Sequence, residues 1–396
     1  MAMDYPPLRS VQGFSWMGIN LGLKDQTLDF GVIASECKCN AAGVFTRNNF
    51  PGAPVTVGRE NIQNGQLQAI VVNSKIANVA TGIDGIEDAK NMCRWTGESL
   101  GIDPELVLPS STGIIGRRLP VEKIHEGCKI IPEKLGSSPE HIDNFARAIM
   151  TTDTHPKWCS ASIENSTLLG VAKGAGMIEP NMATMLSFFV TDAKISSEQL
   201  QTILRRVVNQ SFNRISIDSD TSTSDTVVIL ANGLAGPVDT EIFEKTLRNS
   251  SIKLAKEIAR DGEGSTKLIE LTVSGAKSQE MALQISKSII NSPLVKTAIH
   301  GADPNWGRFV MAVGKVFEYP VPLSDLSIHF GTGSQVLTVN AESLNADTVK
   351  LDAISELLQN QEVFLEVVVG DGKFSETVWG CDLTKDYIEE NAFYTT

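Results

Sequence analysis

Short apolar runs alternate along this chain with stretches of helical periodicity. Leu67–Asn73 (LQAIVVN), Leu186–Val190 (LSFFV), Thr226–Leu230 (TVVIL) and Leu268–Val273 read as buried strands bounded by polar or turn residues. Asp88–Leu100 reads as a helix ending before Gly101. Ser138 as N-cap with Pro139 in the first turn opens a helix running to Met150. Ser196 and Gln199 make a capping box, and Leu200, Ile203, Leu204 and Val207 then share one helix face. Thr240–Arg260 is a long helix stopped by Asp261-Gly262, and Lys277–Asn291 is another. The last third reads as strands around one helix at Leu351–Gln359. Strands and helices mix throughout, with no internal repeat, which predicts a mixed α/β or α+β protein with a seam near Ser274–Gln279.

The 396 residues are 42 % hydrophobic, enough for ordinary cores in two or three domains, or one large domain with a satellite. Lys and Arg number 34 against 47 Asp and Glu, a net charge of −13, which argues against a binder of nucleic-acid backbones. No apolar run approaches the ~18 residues of a membrane span. The start, Met-Ala-Met-Asp-Tyr-Pro-Pro, has no basic or apolar leader pattern, so a cytoplasmic protein is expected. Six scattered cysteines make no disulfide framework, and the lone pair Cys37 and Cys39 lacks a second pair to complete a metal site. The five histidines show no zinc-hydrolase spacing, so no metal is expected.

Four stretches carry more Gly, Thr, Ser and Asp than a fold needs. Pro109–Arg118 (PSSTGIIGRR) follows an apolar run, where small residues can turn backbone N–H groups toward a site. The alternative is an ordinary glycine turn. Lys173–Leu186 (KGAGMIEPNMATML) is a glycine-rich loop running into Asn-Met-Ala-Thr and a strand, and it lacks a phosphate-loop pattern. Ser216–Thr226 (SIDSDTSTSDT) has the composition of a solvated turn and does not fit a calcium loop. Asp261–Lys267 (DGEGSTK) ends a helix and sets Glu263 between two glycines, exposed in a cleft.

Together these motifs resemble the ornithine acetyltransferases, also called glutamate N-acetyltransferases or arginine-biosynthesis bifunctional proteins. The likeness runs from Gly43-Val44-Phe45-Thr46 through Ser111-Thr112-Gly113, Met150-Thr151-Thr152-Asp153-Thr154, Lys173-Gly174, Asn181–Leu186, Asp220-Thr221-Ser222-Thr223, Asp261–Gly264 and Asp303–Arg308 to Gly380–Thr384.

The resemblance implies an αββα sandwich of the aminopeptidase/ornithine acetyltransferase type over 1–275 and a smaller C-terminal domain over 276–396. It implies self-cleavage between Ala183 and Thr184, giving an α chain of 1–183 and a β chain of 184–396. It implies Thr184 as nucleophile, its freed amine as base, and Thr112 and Gly113 as the oxyanion hole through their backbone N–H groups. An N-terminal Thr carries nucleophile and base in one residue, with an amine pKa of about 7.7–8.0. By position, Thr151, Lys173, Thr184, Glu263, Asn391 and Thr396 match the family's substrate contacts. The implied reaction is ping-pong acetyl transfer from N2-acetyl-L-ornithine to L-glutamate, in arginine biosynthesis, without metal or prosthetic group, by an α2β2 or larger assembly.

Some members also take acetyl from acetyl-CoA. Many carry Ser-Gly-Asn-Ala-Asn-Ala-Cys-Thr-Gly where this chain has Ser74–Gly82 (SKIANVATG), and Tyr-Arg-Thr where it ends Tyr394-Thr395-Thr396. These departures look closer to the branch that only recycles acetylornithine, with the bifunctional enzyme as the alternative. A secondary-metabolite paralogue, an N-terminal-nucleophile aminopeptidase or amidase, and an inactive uncleaved binding homologue are the rival readings.

Overall fold

The structure, a computed structural model, describes residues 8–179, 185–346 and 348–393. Its strands in chain order are β1 (Phe14–Ile19), β2 (Phe30–Phe45), β3 (Gln66–Asn73), β4 (Val107–Ser111), β5 (Lys157–Ile163), β6 (Ser166–Lys173) and β7 (Leu186–Lys194). Then follow β8 (Ile215–Ser216), β9 (Thr226–Pro237), β10 (Leu268–Ala276), β11 (Ser327–Phe330), β12 (Leu337–Asn340), β13 (Glu362–Val368) and β14 (Phe374–Cys381). Contacts divide the chain into two units, Met1–Asn213 with Asp220–Ile258, and Arg214–Ser219 with Ala259–Thr396. The division falls at 258/259. The boundary expected at 275 lies inside β10, the strand that holds the second unit's core, so the seam residues belong to a sheet rather than a linker.

The first unit is an eight-stranded mixed sheet ordered β4-β3-β2-β9-β7-β6-β5, with β1 also on β2. Its hinge is β2, 16 residues long. Phe30–Ser35 pairs with β1, Asn40–Phe45 pairs with β9, and the pairing with β3 shifts register between Ala34 and Cys39. A shifted register bends a strand, and the two halves of the sheet share one core. Leu67, Ile70 and Val72 of β3 join Phe14 and Trp16 of β1, Phe188 of β7 and Val228 of β9 in it. The alternate residues Ala69 and Val71 face outward, with Ala89, Met92 and Ile124 of the helices Gly82–Leu100 and Val121–Lys129. That two-faced alternation is the period of a strand buried on both sides. Phe145 meets Trp16 at 5.3 Å and Phe188 at 6.0 Å, fixing the helix Pro139–Ala148 over the core. Its truncation to Ala would cost about 3–5 kcal/mol.

The second unit has a six-stranded sheet ordered β12-β11-β13-β10-β14-β8. Ile269, Leu271 and Val273 of β10 pack with Ile285 and Ile289 of the helix Gln279–Ile290 and with Phe309 of the helix Trp306–Gly314. The chain is thus a mixed α/β protein with two mixed sheets. The capping box at Ser196 is present, with both reciprocal bonds. Ser138 occupies an N-cap position, but its hydroxyl meets His141 Nδ1 at 2.7 Å and caps no backbone amide. The last third holds more helix than its strand-rich reading suggested, including Pro293–His300, Trp306–Gly314 and Lys385–Ala392.

Candidate active site

The C-terminal end of β6 meets the N-terminal ends of β7 and β9 and the C-terminal end of β2 in one row: Lys173 pairs with Leu186, Leu186 with Thr226, and Thr226 with Phe45. The segment 180–184, with the expected cleavage bond Ala183–Thr184, enters this row at β7 and lies outside the described residues, as does Thr396. Its two flanks are held by the Ser-Thr-Asp run. Glu179 N–H donates to Asp220 O at 2.8 Å, Thr221 Oγ1 to Glu179 O at 3.0 Å, and Thr226 N–H to Met185 O at 3.0 Å. The run is itself clamped, Thr46 Oγ1 donating to Ser222 O at 2.7 Å and Asn48 Nδ2 to Thr221 O at 2.8 Å. A stretch expected as a solvated turn is therefore a brace on both flanks of the segment 180–184, because its polar groups find partners on neighbouring strands.

Thr112 and Gly113 follow directly on β4. Thr112 N–H donates to Asn73 O at 3.0 Å and continues the strand pairing. It is occupied, so an oxyanion contribution from Thr112 falls to its hydroxyl, and the expectation of two backbone donors is corrected. The N–H of Gly113 donates to no acceptor among the described residues. Gly113 holds φ +128, and a Cβ there would lie 2.2 Å from the carbonyl carbon of Lys75, so only glycine lets the two backbones approach. Asn73 ties the loop together: its amide donates to Ile76 O at 2.9 Å and its Oδ1 accepts from Ser111 Oγ at 2.6 Å. Lys75 holds φ +80, which costs a non-glycine residue roughly 1–2 kcal/mol. That conformation accounts for glycine at the same place in the motif quoted above.

Thr151 is joined to the end of β6 by a carboxylate that sequence reasoning did not single out. Asp153, buried, accepts Thr151 N–H at 3.0 Å through Oδ2, and Gly174 N–H at 2.6 Å and Lys157 Nζ at 2.7 Å through Oδ1. Burial pushes its carboxyl pKa up, but the charges of Lys157 and Lys173 with these bonds outweigh it and hold it well below the ordinary range. Lys24 donates to Met150 O at 2.6 Å and Leu28 O at 3.0 Å. Its pKa falls to about 8, first through burial and then through Lys173 and Lys75, against the pull of Asp29 and Asp153. Asp225, one residue before β9, is buried. Burial raises its pKa well above the carboxylate range, although Thr46, Lys173, Ser222 and the Met185 amide favour the charged form. The only sequence cue for these groups was their place in motifs.

In the second unit, Asn391 Nδ2 donates to Glu263 Oε2 at 2.7 Å and to Tyr387 O at 3.0 Å. Glu263 is thus half-buried and partnered rather than openly exposed. Burial, then the charges of Glu263, Asp386 and Asp261, raise the pKa of Glu390, which marks this surface as strongly negative.

Residues 15–396 match the ArgJ family. The chain is 50 % identical to arginine biosynthesis bifunctional protein ArgJ 2 of Clostridium acetobutylicum over 385 residues, 97 % of each chain. It is 43 % identical to glutamate N-acetyltransferase Oat2 of Streptomyces clavuligerus over 392 residues, 98 % of each. Among solved structures, it is similar to an ornithine acetyltransferase complexed with ornithine from Mycobacterium tuberculosis. That likeness has 33 % identity over 44 % of this chain and 94 % of the other, with a TM-score of 0.40. With 382 consecutive residues matched (15 to 396 inclusive), the chain belongs to the ArgJ family.

Proposed function

We infer that this chain is a glutamate N-acetyltransferase of arginine biosynthesis, moving the acetyl group of N2-acetyl-L-ornithine to L-glutamate. The observation that carries the reading is its end-to-end likeness to a glutamate N-acetyltransferase, 98 % of both chains at 43 % identity. In this reading the chain cuts itself between Ala183 and Thr184, and the α and β chains stay together in an α2β2 or larger cytoplasmic assembly. Thr184 Oγ adds to the acetyl carbonyl and its proton passes to the Thr184 amine. The Thr112 hydroxyl and the Gly113 N–H meet the oxyanion, an interaction of the kind worth about 2.7–4 kcal/mol per donor. Collapse expels ornithine, whose departing N2 takes the proton, and leaves the acetyl ester on Thr184. The α-amine of glutamate then attacks that ester, and the reverse proton transfers free the enzyme.

Lys173 supplies positive charge for the substrate α-carboxylate, and Thr151 is set beside it through Asp153. Glu263 and Asn391 suit the ornithine ammonium, and Thr396 is the remaining expected contact. The name of the Clostridium relative favours a second reading, in which the same site also takes acetyl from acetyl-CoA. Purified protein on a denaturing gel should run as two fragments, and Thr184→Ala as one. Without glutamate the processed protein should release about one equivalent of ornithine per site from acetylornithine, and it should turn over continuously only when glutamate is present to take the acetyl group from the enzyme. Acetylornithine hydrolysis without a glutamate requirement would defeat the reading in favour of an amidase. Glutamate acetylation from acetyl-CoA would select the bifunctional form.

A further inference from the structure

The peptide group between Met150 and Thr151 is held at both polar atoms by side chains of opposite charge. Its carbonyl accepts Lys24 Nζ at 2.6 Å, and its N–H donates to Asp153 Oδ2 at 3.0 Å. The group lies just beyond the helix Pro139–Ala148, whose own end is settled without Lys24. There Ile149 N–H donates to Phe145 O, Met150 N–H to Arg147 O, both at 3.3 Å, and Ala148 O accepts Ser74 Oγ at 2.6 Å. Lys24 therefore serves the turn and not the helix. It is carried on the loop of residues 20–29 between β1 and β2, which is wound on the buried carboxylate of Asp29. That carboxylate accepts the N–H groups of Leu21 and Leu23 at 2.7 Å and of Lys24 at 2.9 Å. With its backbone fixed in this way, the half-buried Lys24 side chain passes Leu28 O at 3.0 Å and reaches a carbonyl 126 positions along the chain. Such a span costs rotamer freedom and hydration of the ammonium.

We propose that Lys24 is a positioning residue for acetyl transfer, setting the Met150–Thr151 peptide so that the Thr151 hydroxyl meets the substrate. This role rests on the reading above in which Thr151 is a substrate contact. A peptide is planar, so one bond leaves it free to swing about that bond, whereas bonds on its two opposite edges fix its orientation. The signs of the charges select one orientation of the two. The carbonyl faces the ammonium and the N–H faces the carboxylate; a flipped peptide would set its carbonyl against Asp153 and its N–H against Lys24. The direction of the Thr151 hydroxyl follows from its backbone, because a β-branched side chain is stiff at χ1. Asp153 also accepts Gly174 N–H at 2.6 Å and so ties the peptide to the end of β6, while Lys24 ties it to the β1–β2 loop. A substrate-binding group performs only when a supporting shell holds it this closely.

The test compares processed wild-type enzyme with Lys24→Met, Lys24→Gln, Lys24→Arg, Thr151→Val and the double variant Lys24→Met with Thr151→Val. Met removes the donor and the charge, Gln ends one atom short, and Arg keeps both donor and charge. The substrate is acetylornithine at saturating glutamate. Acetylornithine carries no net charge, so the loss of a cation that acts only through the general field moves its KM little. Thr151→Val, Lys24→Met and Lys24→Gln should each raise that KM about tenfold, with kcat changed less than about threefold. A merely structural lysine would lower the urea midpoint and the amount of active enzyme, and so kcat, but not shift KM. Lys24→Arg should stay within about threefold of wild type. The double variant should be within about twofold of the worse single one, since both changes remove the same contact. Wild-type KM in Lys24→Met and Lys24→Gln, when Thr151→Val raises it, overturns the role of Lys24, and so do losses that multiply in the double variant. Thr151→Val with wild-type KM and kcat overturns the reading of Thr151 as a substrate contact, and the role of Lys24 falls with it; that failure is seen in a variant with Lys24 intact.

Discussion

Lys157 and Asp153 form a fully buried ion pair, 2.7 Å between Nζ and Oδ1, and the same carboxylate holds the backbone of Thr151 and Gly174. It neutralises a lysine that could not be buried alone, and it joins the Thr151 turn to the end of β6 where Lys173 lies. Asp153→Asn should cost about 3–5 kcal/mol in urea unfolding, the usual effect of removing one partner from a buried pair. Adding Lys157→Met should recover part of the loss, because it removes the buried lysine charge that Asp153→Asn leaves without its counter-charge. Since the folded pKa of Asp153 is depressed, its contribution is present above the ordinary carboxylate value of about 3.9 and is lost only as pH falls through the folded value. An unfolding profile without that loss in strong acid would show the pair contributes nothing.

Thr112→Val separates the two groups of Thr112. Valine keeps the N–H bonded to Asn73 O and nearly the same shape, but removes the hydroxyl. If the hydroxyl meets the oxyanion, kcat should fall about 10²- to 10³-fold, with Thr112→Ser retaining most activity. Near-normal turnover of the Val enzyme, with the fold intact by circular dichroism, would return the role to backbone groups.

What the sequence made legible follows from where its periodicity was clean. The strands at 67–73, 186–190 and 226–230 are apolar on both faces and short, and they are β3, β7 and β9. β2 escaped notice because Ser35–Asn40 breaks its apolar pattern. There the strand changes from one pairing to another and exposes Glu36 and Lys38. The pairing partners of Thr112 and the hub at Asp153 were not legible either. A backbone N–H says nothing of its acceptor until strand register is known, and Asp153 acts on residues 2 and 21 positions away in sequence. Ser216–Thr226 was misread for the same reason: a polar run looks solvated unless the fold brings acceptors to it.

Lys24 sets a pH limit on the cationic cluster. With a folded pKa of about 8, it is charged at neutral pH and neutral well before an ordinary lysine. Between about pH 8 and 10.4 the unfolded chain binds the extra proton, so this group makes stability rise with pH across that window. Binding moves the other way. The KM for glutamate should climb as pH rises from 7 to 9, because an anion loses one of its attracting charges. Lys24→Arg, charged throughout, should flatten that limb. A KM profile identical in the two enzymes would remove Lys24 from the electrostatics of the site.

The loop bearing Glu263 is held by the C-terminal segment at three points, and under the proposed function this predicts how acetylornithine binding fails. Asp382 Oδ1 accepts the N–H groups of Thr266 at 2.8 Å and Lys267 at 2.9 Å, while Oδ2 accepts Thr266 Oγ1 at 2.6 Å and faces His300 Nδ1 at 2.8 Å. Thr384 Oγ1 donates to Gly264 O at 2.7 Å, and Asn391 meets Glu263 itself. Gly264, at φ +64, would place a Cβ 2.3 Å from Tyr387 N, so this loop and segment fit only with glycine there. Asp382 touches no expected substrate group and acts through the loop. Asp382→Asn forfeits the charge-assisted bonds, each worth about 1.5–3 kcal/mol, while keeping the shape. The KM for acetylornithine should rise about 10- to 100-fold, with kcat changed less and self-cleavage unimpaired, since cleavage needs no ornithine ammonium. If Glu263 pairs with the ornithine ammonium as proposed, Glu263→Gln should give the same signature directly. If Asp382 works by placing Glu263, the double variant should be little worse than Glu263→Gln alone, the non-additivity expected of residues on one path. Fully additive losses would show that Asp382 stabilises the second unit without governing the donor site.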